Sequence, residues 1–398
     1  MFRTLTTFLS LGLASAAPSL LMARQETEAP APRKLLIGAP SQILTADFDG
    51  TTFSITGGNT TSGSAPSWLL TKKPNLLYAV NENANDLNLF TFDQGSSNLR
   101  PISTAWGSPG VVFLEFNSDQ TRLVGAAYGN GSVDVWDSSA EDGSLKYIKH
   151  VDVSNTGPLG PGQTSHHPHQ ALLDPTGRYF VIPDLGGDSI LLLDGKEDRW
   201  EVSVAANLPP NSGPRHGGFL TSGETKYYVV ASELSNELYL YQLQYTDDTI
   251  IFTKLQNQST YGATFPPKNA SSAAAGELVV AKNQKDVYVS NRLSGNETDS
   301  IAHFVFDAPT NGDASLHFVD TISSGGILPR MFSLSADDDQ SLVFVANQAG
   351  DNGLAAFKRC LDSGTLNPTP VATLPSASLV APQLSGTPSM GPQFVLEI

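Results

Sequence analysis

Residues 168–193 read PHQALLDPTGRYFVIPDLGGDSILLL, and residues 214–241 read PRHGGFLTSGETKYYVVASELSNELYLY. Each begins at a proline, runs through a short apolar strand to a polar turn such as Asp174-Pro-Thr-Gly177, and continues as a second apolar strand. A turn rich in Ser, Asn or Asp then leads into a third. Asp, Pro and Gly supply the side-chain bonds and dihedral freedom that such reversals need. The apolar runs are strand-length, and no stretch of about a dozen residues carries a helical apolar period. The two segments match residue for residue, as copies of one structural unit would.

The unit recurs from Pro66, Pro109, about Ala275 and Pro329, with successive anchors 43 to 61 residues apart. That spacing suits four-stranded propeller blades carrying loop insertions. Six units are visible directly. Leu35-Leu-Ile-Gly38 and Ile43 to Ile55 at the front, with Gln393-Phe-Val-Leu-Glu-Ile398 at the back, supply strands for a seventh. A blade built from both ends of the chain would close the ring and remove an exposed sheet edge. The expected fold is therefore all-β, a seven-bladed β-propeller closed by strands from both termini. An array of β-sandwiches is the competing arrangement.

Composition agrees with this and narrows the function. The chain has 398 residues, 35 Gly and 26 Pro, 40% hydrophobic residues and only 16% charged ones. Lys and Arg number 23 against 39 Asp and Glu, a formal net charge of −16. Such a surface repels phosphate-rich partners, so neither nucleic acid nor a membrane is expected, and a small anionic or lactone substrate remains. Cys360 is the single cysteine, so no disulfide forms within the chain.

Met1-Phe2-Arg3, the apolar run Leu5 to Ala14 and Ala14-Ser15-Ala16 have the order of a secretory signal peptide, expected at 1–17. Residues 18–33 read as a flexible leader and 34–398 as one propeller domain. Five N-x-S/T sequons, at Asn59, Asn130, Asn257, Asn269 and Asn296, are compatible with a secreted glycoprotein.

Motifs for serine-hydrolase elbows, P-loops, dinucleotide folds, zincins and EF-hands are absent. Polar residues at blade starts and at the ends of second strands stand out instead, because in a rotational fold equivalent positions converge on the axis. His166-His167-Pro168-His169 concentrates three of the chain's seven histidines. A metal there would need further ligands, and Pro168 prevents helical spacing, so acid–base work is the expected use, with capping of loop backbone as the alternative. Arg215 and Arg330 occupy the register of His169 in other blades. Glu233 and Arg292 end second strands, alongside the related Glu82, Asp184 and Gln348. Together they would form a carboxylate-binding pocket beside a general acid.

His167-Pro-His-Gln-Ala-Leu-Leu-Asp-Pro-Thr-Gly-Arg178, Gly213-Pro-Arg-His216, Ser232-Glu-Leu-Ser-Asn236, Ser290-Asn-Arg292 and Pro329-Arg-Met-Phe-Ser-Leu334 resemble the seven-bladed lactonase family. That family includes fungal carboxy-cis,cis-muconate cyclase and bacterial 6-phosphogluconolactonase. The resemblance implies a metal-independent, cofactor-free site at one mouth of the channel, with His167 or His169, Arg215, Glu233 and Arg292 as catalytic candidates. Arg330, His216 and Gln348 are the substrate-binding candidates. Met331 stands where the family often has a second histidine. Cyclase-like lactone formation or opening on a small carboxylate is the leading expectation. A hydrolytic lactonase is the first alternative, and a non-catalytic secreted binding protein the second.

Overall fold

The computed structural model describes residues 1–2, 31–60, 63–93, 97–156, 159–160, 163–262, 266–310 and 313–398. Nearly all of the expected signal peptide and leader lies outside the described residues. Among the described residues of the unit from Pro32 to Ile398, 28 strands pair antiparallel into seven four-stranded sheets. Blades 1 to 6 follow one another along the chain. Their first strands are Leu69–Lys72, Val111–Phe116, Leu172–Leu173, Pro214–Ser222, Ala274–Val280 and Ile327–Leu334.

Blade 7 joins the ends. Phe394–Glu397 pairs with Arg33–Ala39 in the register Leu35↔Glu397, Leu36↔Leu396, Ile37↔Val395 and Gly38↔Phe394. Gln42–Phe48 and Phe53–Asn59 complete the sheet. Among the described residues no α-helix occurs, only three 3-10 turns.

The packing follows from the apolar runs. Second strands such as Tyr179–Asp184 (YFVIPD) are buried on both faces, as continuous apolar runs require, while outer strands such as Lys146–Asp152 are largely exposed. Each core lies between two neighbouring blades. Tyr179, Val181 and Ile190 of blade 3 meet Tyr228, Val230 and Tyr241 of blade 4, for example. Blade 7 shares one cluster with blades 1 and 6, so the closing strand is packed as well as hydrogen-bonded.

Two sequence expectations need correction. Pro168 pairs with Asp184 and Pro214 with Ser232, and each partner pairs in turn with the first residue of its third strand, Ser189 or Glu237. Blades 3 and 4 therefore agree at their starts, but the first hairpin of blade 4 is two residues longer. Blade 2 is also anchored later than Pro109. Val111 pairs with Ala127, which pairs with Ser132, so Val111 is the counterpart of Pro214.

The first strands share an irregularity that shapes the axis. The ladder skips between Val111 and Phe113, Pro214 and His216, Ala275 and Leu278, and Pro329 and Met331. A bulge leaves its extra residue unpaired and re-aims the side chain. Val112, Arg215 and Arg330 are such residues, and in blade 5 the skip spans Gly276 and Glu277.

Candidate active site

At the axis, all seven blades contribute to one constricted cavity. Ser67, Val112, His169, Arg215, Glu277, Arg330 and Gln393 come from blades 1 to 7 in order, with Trp68, His216 and Met331 beside them. The expected convergence of His169, Arg215 and Arg330 is thus three members of a seven-membered ring.

Around this ring the charged groups are paired. Arg215 Nη1 lies 2.6 Å and Arg292 Nη2 2.9 Å from the same oxygen, Oε2 of Glu233. Arg292 Nη2 also donates to the carbonyl of Ala275 at 2.9 Å. It reaches there because residue 276 is glycine; a Cβ at that position would lie 2.4 Å from Ser290 Oγ and 3.1 Å from Arg292 Nε. Arg330 Nη2 lies 2.6 Å from Oε2 of Glu82. Burial alone would raise the Glu233 carboxyl, but Arg292 and Arg215 outweigh it and hold the group at about 2. Burial, only partly offset by Glu233, brings the Arg292 guanidinium down to about 10.

His169 is 4% exposed. Burial, followed by the charges of Arg215, His216, Arg330 and Arg292, pushes it well below the ordinary imidazole range, so it is neutral at pH 7. Its Nδ1 lies 3.0 Å from His216 Nε2, and its ring meets the Tyr128 ring edge-on with centroids 5.5 Å apart. Several buried polar atoms facing this region, Ser67 Oγ, Arg215 Nε, Arg292 Nε and Gln393 Oε1, have no hydrogen-bond partner among the described residues. Unpaired donors and acceptors of this kind are costly unless something polar meets them.

The remaining candidates separate. His167 is half-buried, with Nδ1 2.7 Å from the Tyr128 carbonyl, Nε2 2.9 Å from Ser165 Oγ, and its ring stacked on Tyr128. Both nitrogens are engaged, so of the two candidates only His169 is placed for proton transfer. His166 pairs with Asp184, which also accepts from the backbone N–H groups of His167 and Gly187. Asp184 is therefore a loop anchor rather than a channel group. His216 lines the same cavity beside His169. Gln348 occupies the blade 6 counterpart of Glu233 but makes no side-chain hydrogen bond to the cluster. Among the described residues, no three His, Cys, Asp or Glu side chains are grouped to hold a metal ion.

Sequence reasoning missed Glu277 and Tyr128. Tyr128 follows the second strand of blade 2, Arg122–Ala127, as Glu233 follows that of blade 4, and this shared position was the available signal. Glu277 belongs to a first strand that no proline introduces, so the sequence carries no marker of its register.

A family model for seven-bladed β-propeller lactonases matches residues 33–382. A protein of Arthroderma benhamiae described as a probable 6-phosphogluconolactonase is 30% identical over 342 residues, 83% of each chain. The periplasmic gluconolactonase of Pseudomonas aeruginosa superposes with a TM-score of 0.72 at 27% identity, covering 87% of this chain and 96% of that one. A Lactobacillus plantarum protein shares the fold, with a TM-score of 0.71 at 24% identity over 86% of this chain and 97% of its own.

Proposed function

Since the chain belongs to the seven-bladed β-propeller lactonase family, we propose that it hydrolyses the ester bond of a small sugar-type lactone at the axial mouth of the propeller. The carrying observation is a buried, neutral His169 beside two arginines that share the single carboxylate of Glu233. His169 Nε2 takes a proton from water as the water oxygen adds to the lactone carbonyl carbon. Arg215 and Arg292 stabilise the negative charge that develops on the carbonyl oxygen. The ring C–O bond then breaks and the proton passes from His169 to the departing alkoxide. The product is an open hydroxy acid, which ionises at neutral pH. Glu233 is too acidic between its arginines to serve as the base; it holds the pair in place.

Hydrolysis is favoured over the cyclase reading because two similar proteins bear gluconolactonase names, one of them for the phosphorylated lactone. Acid release from gluconolactone and 6-phosphogluconolactone, followed by pH-stat, should exceed the spontaneous rate and survive EDTA. Lactone formation from a carboxymuconate, with no acid release from either sugar lactone, would reverse the assignment to the cyclase. Export of the chain is part of the proposal and rests on the Met1 to Ala17 pattern. Cleavage near Ala16 in a secreting host is its test.

A further inference from the structure

Along the wall of the same cavity two more buried groups stand in line with His169. His216 Nε2 is 3.0 Å from His169 Nδ1, and His216 Nδ1 is 2.7 Å from Oε1 of Glu277. None of the three is more than 4% exposed. Glu277 has no lysine or arginine partner among the described residues, so its one charged contact is the imidazole. The line crosses three blades and is held at both ends. Glu277 N–H donates to Ser290 Oγ at 2.8 Å. Gln170, next to His169, accepts from the N–H of Gly217, next to His216, at 2.8 Å.

We infer that Glu277 and His216 form a relay that fixes the tautomer of His169, making both of them positioning residues for the hydrolysis proposed above, on which this inference rests. The order of protons follows from the ends. An ionised carboxylate only accepts, so His216 must carry its hydrogen on Nδ1. Burial, with Arg215 and Arg330 acting against Glu277, pushes His216 below the ordinary imidazole range and leaves its Nε2 bare. That lone pair accepts from His169 Nδ1–H. The lone pair of His169 is then on Nε2, which has no protein partner among the described residues. The opposite order would put hydrogen on Nε2 and leave no base. When His169 takes a proton from water, its Nδ1 proton can move to His216, placing the positive charge beside Glu277. The other groups around His169 are Arg215, Arg292, Arg330 and the Tyr128 ring. The three arginines disfavour the imidazolium, and Glu277, through His216, is the anion that answers them.

The test uses the full chain with gluconolactone as substrate. In Glu277→Gln, kcat should fall roughly 10²–10⁴-fold with KM within about twofold of wild type. The acid limb of the kcat/KM profile should move to lower pH, because the imidazolium has lost its anion. Glu277→Asp, which keeps the charge, should recover most of kcat and the limb. His216→Phe is the second variant, since that ring already packs edge-on against Trp68 and Phe113, both at 5.8 Å. It should lose kcat without losing its fold, as read by thermal unfolding. A folded Glu277→Gln or His216→Phe protein with wild-type kcat and acid limb, beside an inactive His169→Asn protein, would overturn the relay and leave the hydrolytic reading intact. A wild-type protein inert toward lactones would overturn the hydrolytic reading itself.

Discussion

Arg215 and Arg292 meet at one oxygen of Glu233, and this shared carboxylate explains how two cations can be kept side by side in a buried channel. Removing one arginine leaves the other fully compensated by Glu233, so the loss falls on transition-state charge more than on stability. Arg215→Ala should therefore reduce kcat/KM for gluconolactone by about 10²–10³-fold, or about 2.7–4 kcal/mol. Steady-state kinetics on a variant with unchanged thermal unfolding checks this, and undiminished turnover would remove Arg215 from the reaction. Glu233 stays ionised from about pH 2 upward. In the proposed mechanism the acid limb of the activity profile belongs to His169 instead: the base must be neutral, and its pKa lies below the ordinary value, so activity should persist below pH 6.5 and disappear as pH falls further.

At the scale of elements, the arginines are aimed by turns and bulges. Asp299, buried in blade 5, accepts from the backbone N–H groups of Leu293 at 3.0 Å, Ser294 at 2.9 Å and Leu328 at 2.9 Å. Leu293 follows Arg292 and Leu328 nearly precedes Arg330. Both leucines hold positive φ, 55° and 57°, a conformation that side chains resist and a local anchor must enforce. Asp299→Ala should destabilise the protein by about 2–4 kcal/mol in urea unfolding and lower kcat/KM through both arginines at once. A variant that loses stability but keeps full activity would show that the arginines are placed without it.

How far this architecture was legible depends on the kind of signal. The strand-turn-strand grammar exposed six blades and both halves of the seventh, because burial on two faces imposes apolar runs and reversal imposes Asp, Gly and Pro. The proline anchors placed His169, Arg215 and Arg330 in one ring. Glu277, Val112 and Gln393 were not legible: no proline opens the strand of Glu277 to mark its register, Val112 lies three residues past Pro109, and Gln393 stands at the entrance of the closing strand. The residue-for-residue match of blades 3 and 4 failed because strand pairing absorbs two extra residues in a hairpin, while a linear alignment does not. His167 and His169 could not be told apart in sequence, because their difference is what each nitrogen touches.

For the whole molecule, the net charge of −16 and the pairing inside the channel act together. Arg330 is matched by Glu82, and Arg215 and Arg292 share Glu233, so the mouth offers little uncompensated positive charge to draw an anion through an acidic exterior. Raising salt from about 0.02 to 0.2 M shortens the screening length and weakens that repulsion. The kcat/KM for 6-phosphogluconolactone should rise modestly over this range while that for uncharged gluconolactone stays level. A steep fall for the phosphorylated substrate would mean that a long-range cationic field governs capture.

In the proposed reaction His169, at the axis where seven blades meet, is the base of the lactone hydrolysis. This role is tested by pH-stat titration of gluconolactone hydrolysis at pH 7 by wild type and His169→Asn, with their thermal unfolding compared. The expected result is catalysed acid release by wild type and a loss of about 10²–10⁴-fold in a variant that unfolds like wild type. Equal rates for the two proteins would mean that His169 is not the base.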